Sequence, residues 1–359
     1  MSLPAAVPEA LADVLAASPP RSGARVRIAV PDGTRPLDVE VALAALRPWL
    51  SGDVRAVVGL GLHRPMRADE LPRSPFPLLQ HDPDDTVPTA IVDGIPGGIA
   101  RAVADADVLL GVGIVELHQY AGFSGGHKAV AVGLGARATL DALHHRDRVT
   151  APGVRLGRLD GNPFRAAVDA LGEAAGCRWV LLQAGGRWFA GEPRATLAAA
   201  AASLACWEDV PRRHPAAILR VPPRKAANFY QASRAATYLG LSDDPPLVPG
   251  ATLYLEAACP EGMGEGDGER AFAAVLAAGR APWGALLDGA APVGAGTQRA
   301  VMIAATLRRH PLVVTGVRDP APLRACGIDA TSAPASALAP RDALVVTDPF
   351  ARIPRYRGP

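Results

Sequence analysis

Three apolar runs, each ending in a cluster of polar side chains, limit what this chain can fold into. Val26-Arg27-Ile28-Ala29-Val30 alternates as a strand and runs into Pro31-Asp32-Gly33-Thr34-Arg35-Pro36. Arg55 to Leu62 reads as a buried strand that delivers His63-Arg64-Pro65 at its end. Asp107 to Val115 is a third such strand, followed by Glu116 and His118. Short continuous apolar runs suit strands covered on both faces, as in parallel sheets. Helical segments are expected between them, over Val39–Arg47 (stopped by Pro48) and over Gly98–Asp105. Ala90-Ile91-Val92 reads as a weaker strand. In open α/β sheets ligands bind beyond the carboxyl ends of the strands. Asp32, Thr34 and Arg35, His63 and Arg64, and Glu116 and His118 are all expected there.

The chemistry is densest between Gly113 and His145. That stretch holds His118, His127, His144 and His145, four of the eight histidines, with Lys128 and the Gly125-Gly126 pair. Ala129 to Leu143 should be helical near its end. Paired glycines ahead of a helix let backbone N–H groups come close to an anion. Lys128 adds an amine at that place, so a phosphate-bearing group beside it is the expected ligand. The histidines do not show the spacing of HExxH or of a tight zinc site. His144 and His145 could equally serve the dipole of a helix end, and Asp32-Gly-Thr-Arg-Pro could be only a strand-ending turn.

Further along, Asp160-Gly161-Asn162-Pro163 is a turn before an amphipathic helix over Phe164–Gly176. A strand over Arg178–Gln183 and a helix over Ala195–Trp207 follow. Val210 to Pro215 breaks all periodicity and reads as a linker, so the chain divides into residues 1–212 and 213–359. The second part repeats the α/β pattern, with strands over 217–221, 252–255, 312–315 and 343–347 and helices over 228–239 and 298–309. The glycine-rich segment Glu261 to Gly266 lacks the register of a dinucleotide fingerprint and reads as a turn or an anion nest before a helix through Ala278. A short helix is expected over Leu11–Ala17, ahead of a Ser-Pro-Pro-Arg-Ser-Gly turn.

A net charge of +2 on 359 residues gives no reason to expect a nucleic-acid partner. No apolar run approaches membrane-spanning length and no secretory leader is visible, so a cytoplasmic protein is expected. Cys177, Cys206, Cys259 and Cys326 lie far apart without a CxxC pair. They are expected to be reduced and buried.

The motifs Asp32-Gly-Thr34-Arg35-Pro36, Gly61-Leu-His63-Arg64-Pro65 and His118-Gln-Tyr-Ala-Gly-Phe-Ser124-Gly125-Gly126-His-Lys128, in this order, resemble those of the lactate racemase family. These are the racemases and epimerases that use a nickel-pincer nucleotide. Gly161-Asn162-Pro163, Tyr230-Gln231 and Glu261-Gly262-Met263-Gly264 also look like family features, though less specific ones. The resemblance implies two α/β domains with mainly parallel sheets and an active-site cleft between them. It implies that Lys128 carries the cofactor (the nickel complex of pyridinium-3,5-bisthiocarboxylic acid mononucleotide) through a thioamide. His144, or His145 as the fallback, would complete the nickel's coordination. The cofactor's phosphate would rest near Gly125, Gly126, Thr34 and Arg35. Imidazole and sulfur donors suit Ni(II) in a square-planar site.

By the same resemblance the reaction inverts C2 of a 2-hydroxy acid, by hydride transfer to the cofactor through the 2-keto acid. The hydroxyl lies on different sides in the two enantiomers, so His63 and His118 are implied as two acid/bases. Asp32 and Arg35 would orient them or the substrate. Gln231 and Arg234 would hold the substrate carboxylate, Arg234 standing where the family has lysine. No tryptophan stands where the family has a late one: Gly294 to Gln298 takes that place, and Trp283 lies too early. His127 and Val132 stand where the lactate enzymes tend to have arginine and proline. The implied substrate is therefore a larger or more polar 2-hydroxy acid than lactate. The implied partners are that acid and, transiently, the proteins that build the cofactor, with no nucleic acid and no membrane. A zinc-dependent hydrolase using the histidine cluster and a non-catalytic ligand-binding protein are the rival readings.

Overall fold

The structure, a computed structural model, describes residues 23–289 and 293–358. The helix expected over Leu11–Ala17 lies outside them. The chain divides into two compact units, Met1–Leu143 with Arg148–Leu204, and His144–Asp147 with Ala205–Pro359. The main change of unit thus comes at Leu204/Ala205, ahead of the Arg212/Arg213 division read from the sequence.

The first unit contains strands β1 (Arg25–Pro31), β2 (Asp53–Gly59), β3 (Leu78–Gln80), β4 (Thr86–Pro88), β5 (Gly98–Ala100), β6 (Val108–Ile114), β7 (Leu117–His118), β8 (Gly122–Phe123), β9 (Cys177–Ala184) and β10 (Arg187–Gly191). Its main sheet runs β10-β9-β6-β1-β2-β3. Every neighbouring pair is parallel except β9 with β10. The parallel strands are apolar because both faces are covered. Val26, Ile28, Val30, Val54, Ala56, Val58, Leu110 and Val112 share one core with Leu43 and Leu46 of the helix Val39–Leu46. Asp38 caps that helix by accepting a hydrogen bond from the Val41 N–H. Arg27 breaks the apolar run, yet it is fully buried. Its guanidinium donates to Asp53 at 2.8 Å and to Asp105 at 2.7 Å, which neutralises the charge toward the amino ends of the strands.

The second unit holds β11 (Trp207–Val210), β12 (His214–Arg220), β13 (Leu247–Glu256), β14 (Leu312–Thr315), β15 (Asp329–Ala330), β16 (Leu344–Val346) and β17 (Ile353–Tyr356). Its sheet, β15-β14-β13-β12-β16, is parallel throughout. The helices Phe229–Gly240, Asp267–Ala277 and Gln298–Arg309 belong to this unit. The two-part α/β pattern of the sequence is therefore present, with mainly parallel sheets.

Four local expectations need correction. Residues 98–105 are not a helix: β5 pairs antiparallel with β4, and a 3-10 turn follows at Arg101–Val103. A Cβ at Gly98 would come within 2.6 Å of the Ala136 side chain, so close packing selects extended chain over alanine-rich helical propensity. Val92 makes only an isolated bridge to Ile95 in place of a strand. The helix read as reaching Trp207 ends at Ala202, and Trp207 opens β11. The segment read as a linker joins the end of β11 to the start of β12, and Pro215 within β12 falls at a register shift between His214 and Ala216 that spares it a ladder hydrogen bond. All four cysteines are buried and unbridged, as expected, and burial raises the Cys177 and Cys259 thiols to about 12. Among the described residues no helix is long and apolar enough to cross a membrane.

Candidate active site

The carboxyl ends of the neighbouring strands β6, β1 and β2 bring the polar clusters of the first unit together. Asp32 follows β1 directly and is buried. Its Oδ1 accepts hydrogen bonds from the Thr34 N–H at 3.0 Å and the Thr34 hydroxyl at 2.5 Å. Its Oδ2 lies 2.6 Å from Nδ1 of His63, beyond β2. Burial alone would raise the Asp32 pKa. The charge and hydrogen bond of His63, the charge of Arg35 and the Thr34 hydroxyl outweigh it and hold the carboxyl well below the usual range. An ionised carboxylate only accepts, so Nδ1 of His63 carries a hydrogen toward Asp32. Arg35 reaches toward Glu116 after β6, at 3.9 Å, tying the third strand end to the first.

Beyond β6 the chain makes the small hairpin of β7 and β8, pinned by Ser124. The Ser124 hydroxyl donates to the Ile114 carbonyl at 2.6 Å and accepts from the Glu116 N–H at 2.9 Å. Gly122 is indispensable there: its φ is +73°, and a Cβ would lie 1.9 Å from the Arg158 carbonyl oxygen. His118 sits buried in β7 with its ring edge against Tyr120. Its Nδ1 accepts hydrogen bonds from the backbone N–H groups of Ala121 at 3.1 Å and Tyr120 at 3.4 Å. Gly125 and Gly126 both have left-handed backbones, φ +84° and +60°. Side chains there would press on Leu182 and Val115 or on Leu197, so packing also requires glycine. Lys128 then opens the short helix Lys128–Ala131 and is partly exposed.

Residues that carry no chemistry of their own hold this loop: Asn162, read from the sequence as part of a turn and a family-like motif, and Arg165 and Asp169, which the sequence did not single out. Arg165, on the helix Pro163–Ala174, is buried and donates to the carbonyls of Ala121 (3.1 Å) and Phe123. The Asn162 side chain donates to the Tyr120 carbonyl at 2.8 Å while capping the same helix. Asp169 accepts from Arg165 at 3.3 Å and lies 3.2 Å from Nδ1 of His127. Burial would raise the Asp169 pKa, but His127 and Arg165 together lower it. His127 is fully buried and packs on Gly172. The one available signal was an Arg–Asp pair four residues apart on a helix otherwise expected to bury an apolar face.

The remaining candidates fall in the second unit. Gln231 and Arg234 are buried one turn apart, and the Arg234 guanidinium donates to the Gln231 side-chain oxygen and stacks over Phe350 at 5.2 Å. His144 is buried and His145 exposed, both within the short segment that belongs to this unit. The Glu261–Gly266 turn forms a nest that the protein fills itself: Glu269 accepts from the N–H groups of Glu265 (2.7 Å) and Gly266 (2.8 Å). Trp283 is a buried structural residue that donates to the Leu276 carbonyl at 3.2 Å. Among the described residues no three His, Cys, Asp or Glu side chains gather as a metal-ligand group.

Residues 5–157 match the lactate racemase N-terminal domain family, a stretch that spans every candidate of the first unit. This stretch of the chain is therefore similar to the N-terminal domain of lactate racemases. A lactate racemase of Lactiplantibacillus plantarum is 29% identical over 147 residues, 36% of this chain and 35% of that protein. One from Thermoanaerobacterium thermosaccharolyticum is 25% identical over 167 residues, 42% of this chain and 39% of that protein. The matched stretch thus spans little more than a third of either relative. The fold likeness extends further. The lactate racemase apoprotein from T. thermosaccharolyticum superposes with a TM-score of 0.78 at 18% identity, covering 98% of this chain and 92% of that one. A Thermotoga maritima protein superposes at 0.66 with 13% identity, covering 97% of each.

Proposed function

We propose that this lactate racemase-like chain is an isomerase that inverts C2 of a 2-hydroxy acid other than lactate. The observation that carries this reading is the pairing of buried Asp32 with half-buried His63 at the carboxyl ends of the parallel strands, inside the matched domain. Asp32 fixes the His63 tautomer and stabilises the imidazolium that forms when Nε2 takes a proton from the substrate hydroxyl. His118 is the second histidine of the reaction. Gln231 and Arg234 bind the substrate carboxylate, the planar guanidinium giving a broader grip than lysine would. Arg35 and Thr34 hold the Asp32 loop in place.

Lys128 would tether the nickel-pincer nucleotide, with its phosphate near Gly125 and Gly126, and His144 would supply the protein's ligand to the metal. Lys128 offers a partly exposed amine and His144 a buried imidazole, donor types that suit such a group. A zinc hydrolase would need about three protein ligands gathered together. When bound, the cofactor supplies the acceptor and donor of the C2 hydride, and the chain's own residues place the substrate and move its proton. The proteins that build the cofactor would be transient partners.

The test is to produce the protein together with the cofactor-building enzymes and offer single enantiomers of 2-hydroxy acids of graded size and charge. Chiral chromatography should show inversion, fastest for an acid larger or more polar than lactate. Binding of such acids without inversion of any would overturn the enzymatic reading in favour of a ligand-binding protein.

A further inference from the structure

The helix Phe229–Gly240 carries Gln231 and Arg234, and its first turn is tied through buried side chains to a second helix, Asp267–Ala277. Asn228 caps the first helix: it is buried, and its side-chain oxygen accepts from the Gln231 N–H at 2.9 Å. An N–H in the first turn has no carbonyl of its own helix to bond, so the cap satisfies it. With its oxygen so placed, the Asn228 NH2 group turns the other way, 3.1 Å from Oε2 of Glu261 and 3.4 Å from Oε1 of Glu269. Glu269 is buried as well, in the first turn of the second helix. Its Oε2 accepts from the Glu265 and Gly266 N–H groups, so one carboxylate serves the starts of both helices. Gly264 makes room for it: φ is +113°, and a Cβ would come within 2.7 Å of the Glu269 side chain. Phe272, one turn on from Glu269, packs against Phe229 and Tyr230 with ring centroids 5.9 and 5.4 Å apart.

On the function proposed above, we infer that Glu269 is a positioning residue for substrate binding: through Asn228 it sets where the first helix places Gln231 and, one turn on, Arg234. The glycine-rich turn holds the chain's own carboxylate where Asn228 can reach it. The backbone adds to the tie, since the Phe229 N–H donates to the Gly262 carbonyl at 2.8 Å and the Glu261 N–H to that of Ala227 at 2.9 Å.

Glu269→Gln tests the link by exchanging one oxygen for an NH2 group. The remaining oxygen must still face the Glu265 and Gly266 N–H groups, so the new NH2 meets that of Asn228, donor against donor. Asn228 then turns or shifts, and either movement loosens its oxygen from the Gln231 N–H. Amide hydrogen exchange reads this without turnover. The Gln231 amide should exchange about tenfold faster, the scale of one hydrogen bond. The Leu253 amide, which donates to the Pro311 carbonyl, should keep its rate. Equal acceleration at both would mean a global loss of stability and would overturn the inference. In cofactor-loaded protein, KM for the acid inverted fastest should rise about tenfold with kcat held within about a factor of two, because a displaced grip weakens ground state and transition state alike. Less active protein at unchanged KM would show a merely structural role.

Asn228→Asp breaks the link from the other side and leaves Glu269 with its two backbone bonds. Aspartate caps a helix as well as asparagine does, but it sets an oxygen against Glu269 and Glu261. The variant should match Glu269→Gln in both readouts. Unaltered exchange and KM would overturn the inference by showing Asn228 to be a cap alone. Absence of inversion in the unaltered, cofactor-loaded protein would instead count against the proposed function, and the exchange rates would still decide whether Glu269 holds the cap.

Discussion

Replacing Asp32 by asparagine should invert the hydrogen on His63 while barely changing the shape of the site. Oδ1 of Asp32 receives two donors from Thr34, so the side-chain oxygen of the asparagine must keep that side. Its NH2 group then faces Nδ1 of His63, where Oδ2 now lies at 2.6 Å. An amide donor there moves the ring hydrogen to Nε2, the nitrogen that on the proposed function accepts the substrate's proton. The variant also loses the charge opposite the imidazolium. Two unit charges about 4 Å apart at an effective dielectric near 20 interact by about 4 kcal/mol. At about 1.4 kcal/mol per decade this corresponds to roughly a 1000-fold slower proton step. The assay is inversion of one enantiomer by cofactor-loaded protein, with denaturant unfolding as a control for the fold. Retention of more than about a tenth of the rate in a folded variant would refute the role assigned to the pair.

Three other outcomes follow from the same structure. Arg27→Ala should lower the unfolding free energy by about 3 kcal/mol, less than for a fully enclosed pair because Asp53 and Asp105 stay partly solvated; a loss under about 1 kcal/mol in urea would show that the buried guanidinium is not needed. Burial lowers the His81 pKa from 6.5 to about 4, despite its hydrogen bond to Gly135 and the nearby Asp82 and Asp84. The unfolded chain therefore binds more protons between those values, and stability should fall by about 3 kcal/mol as pH drops from about 6.5 to 4. His81→Gln should flatten that part of the pH–stability curve, and an unchanged slope would contradict it. Arg234→Lys should shift preference among 2-hydroxy acids with little change in metal content, whereas unaltered selectivity would remove Arg234 from the carboxylate site.

The parts legible in the sequence were those where local pattern and tertiary role coincide. The apolar runs of β1, β2 and β6 could only be covered strands, and Asp32, His63 and His118 follow them within a few residues. The misread segments are those where long-range packing overrides local preference. Residues 98–105 are rich in alanine, yet Gly98 must sit against Ala136, which holds that segment extended. Val210–Pro215 looked like a break because prolines interrupt it, but a register shift lets the second of them lie within a strand. The bracing of the β7–β8 loop was illegible for a different reason. Arg165 and Asn162 act on carbonyls about 40 residues away in the chain, and backbone carbonyls leave no mark in a sequence.

The central claim is that this fold works through a cofactor tethered at Lys128. It is tested most directly by intact mass and metal analysis of protein made alongside the pincer-cofactor biosynthetic enzymes, compared with the Lys128→Ala variant. The account predicts a nickel-containing adduct on the unaltered chain and none on the variant. Unmodified mass in both, with zinc or no metal bound, would contradict it.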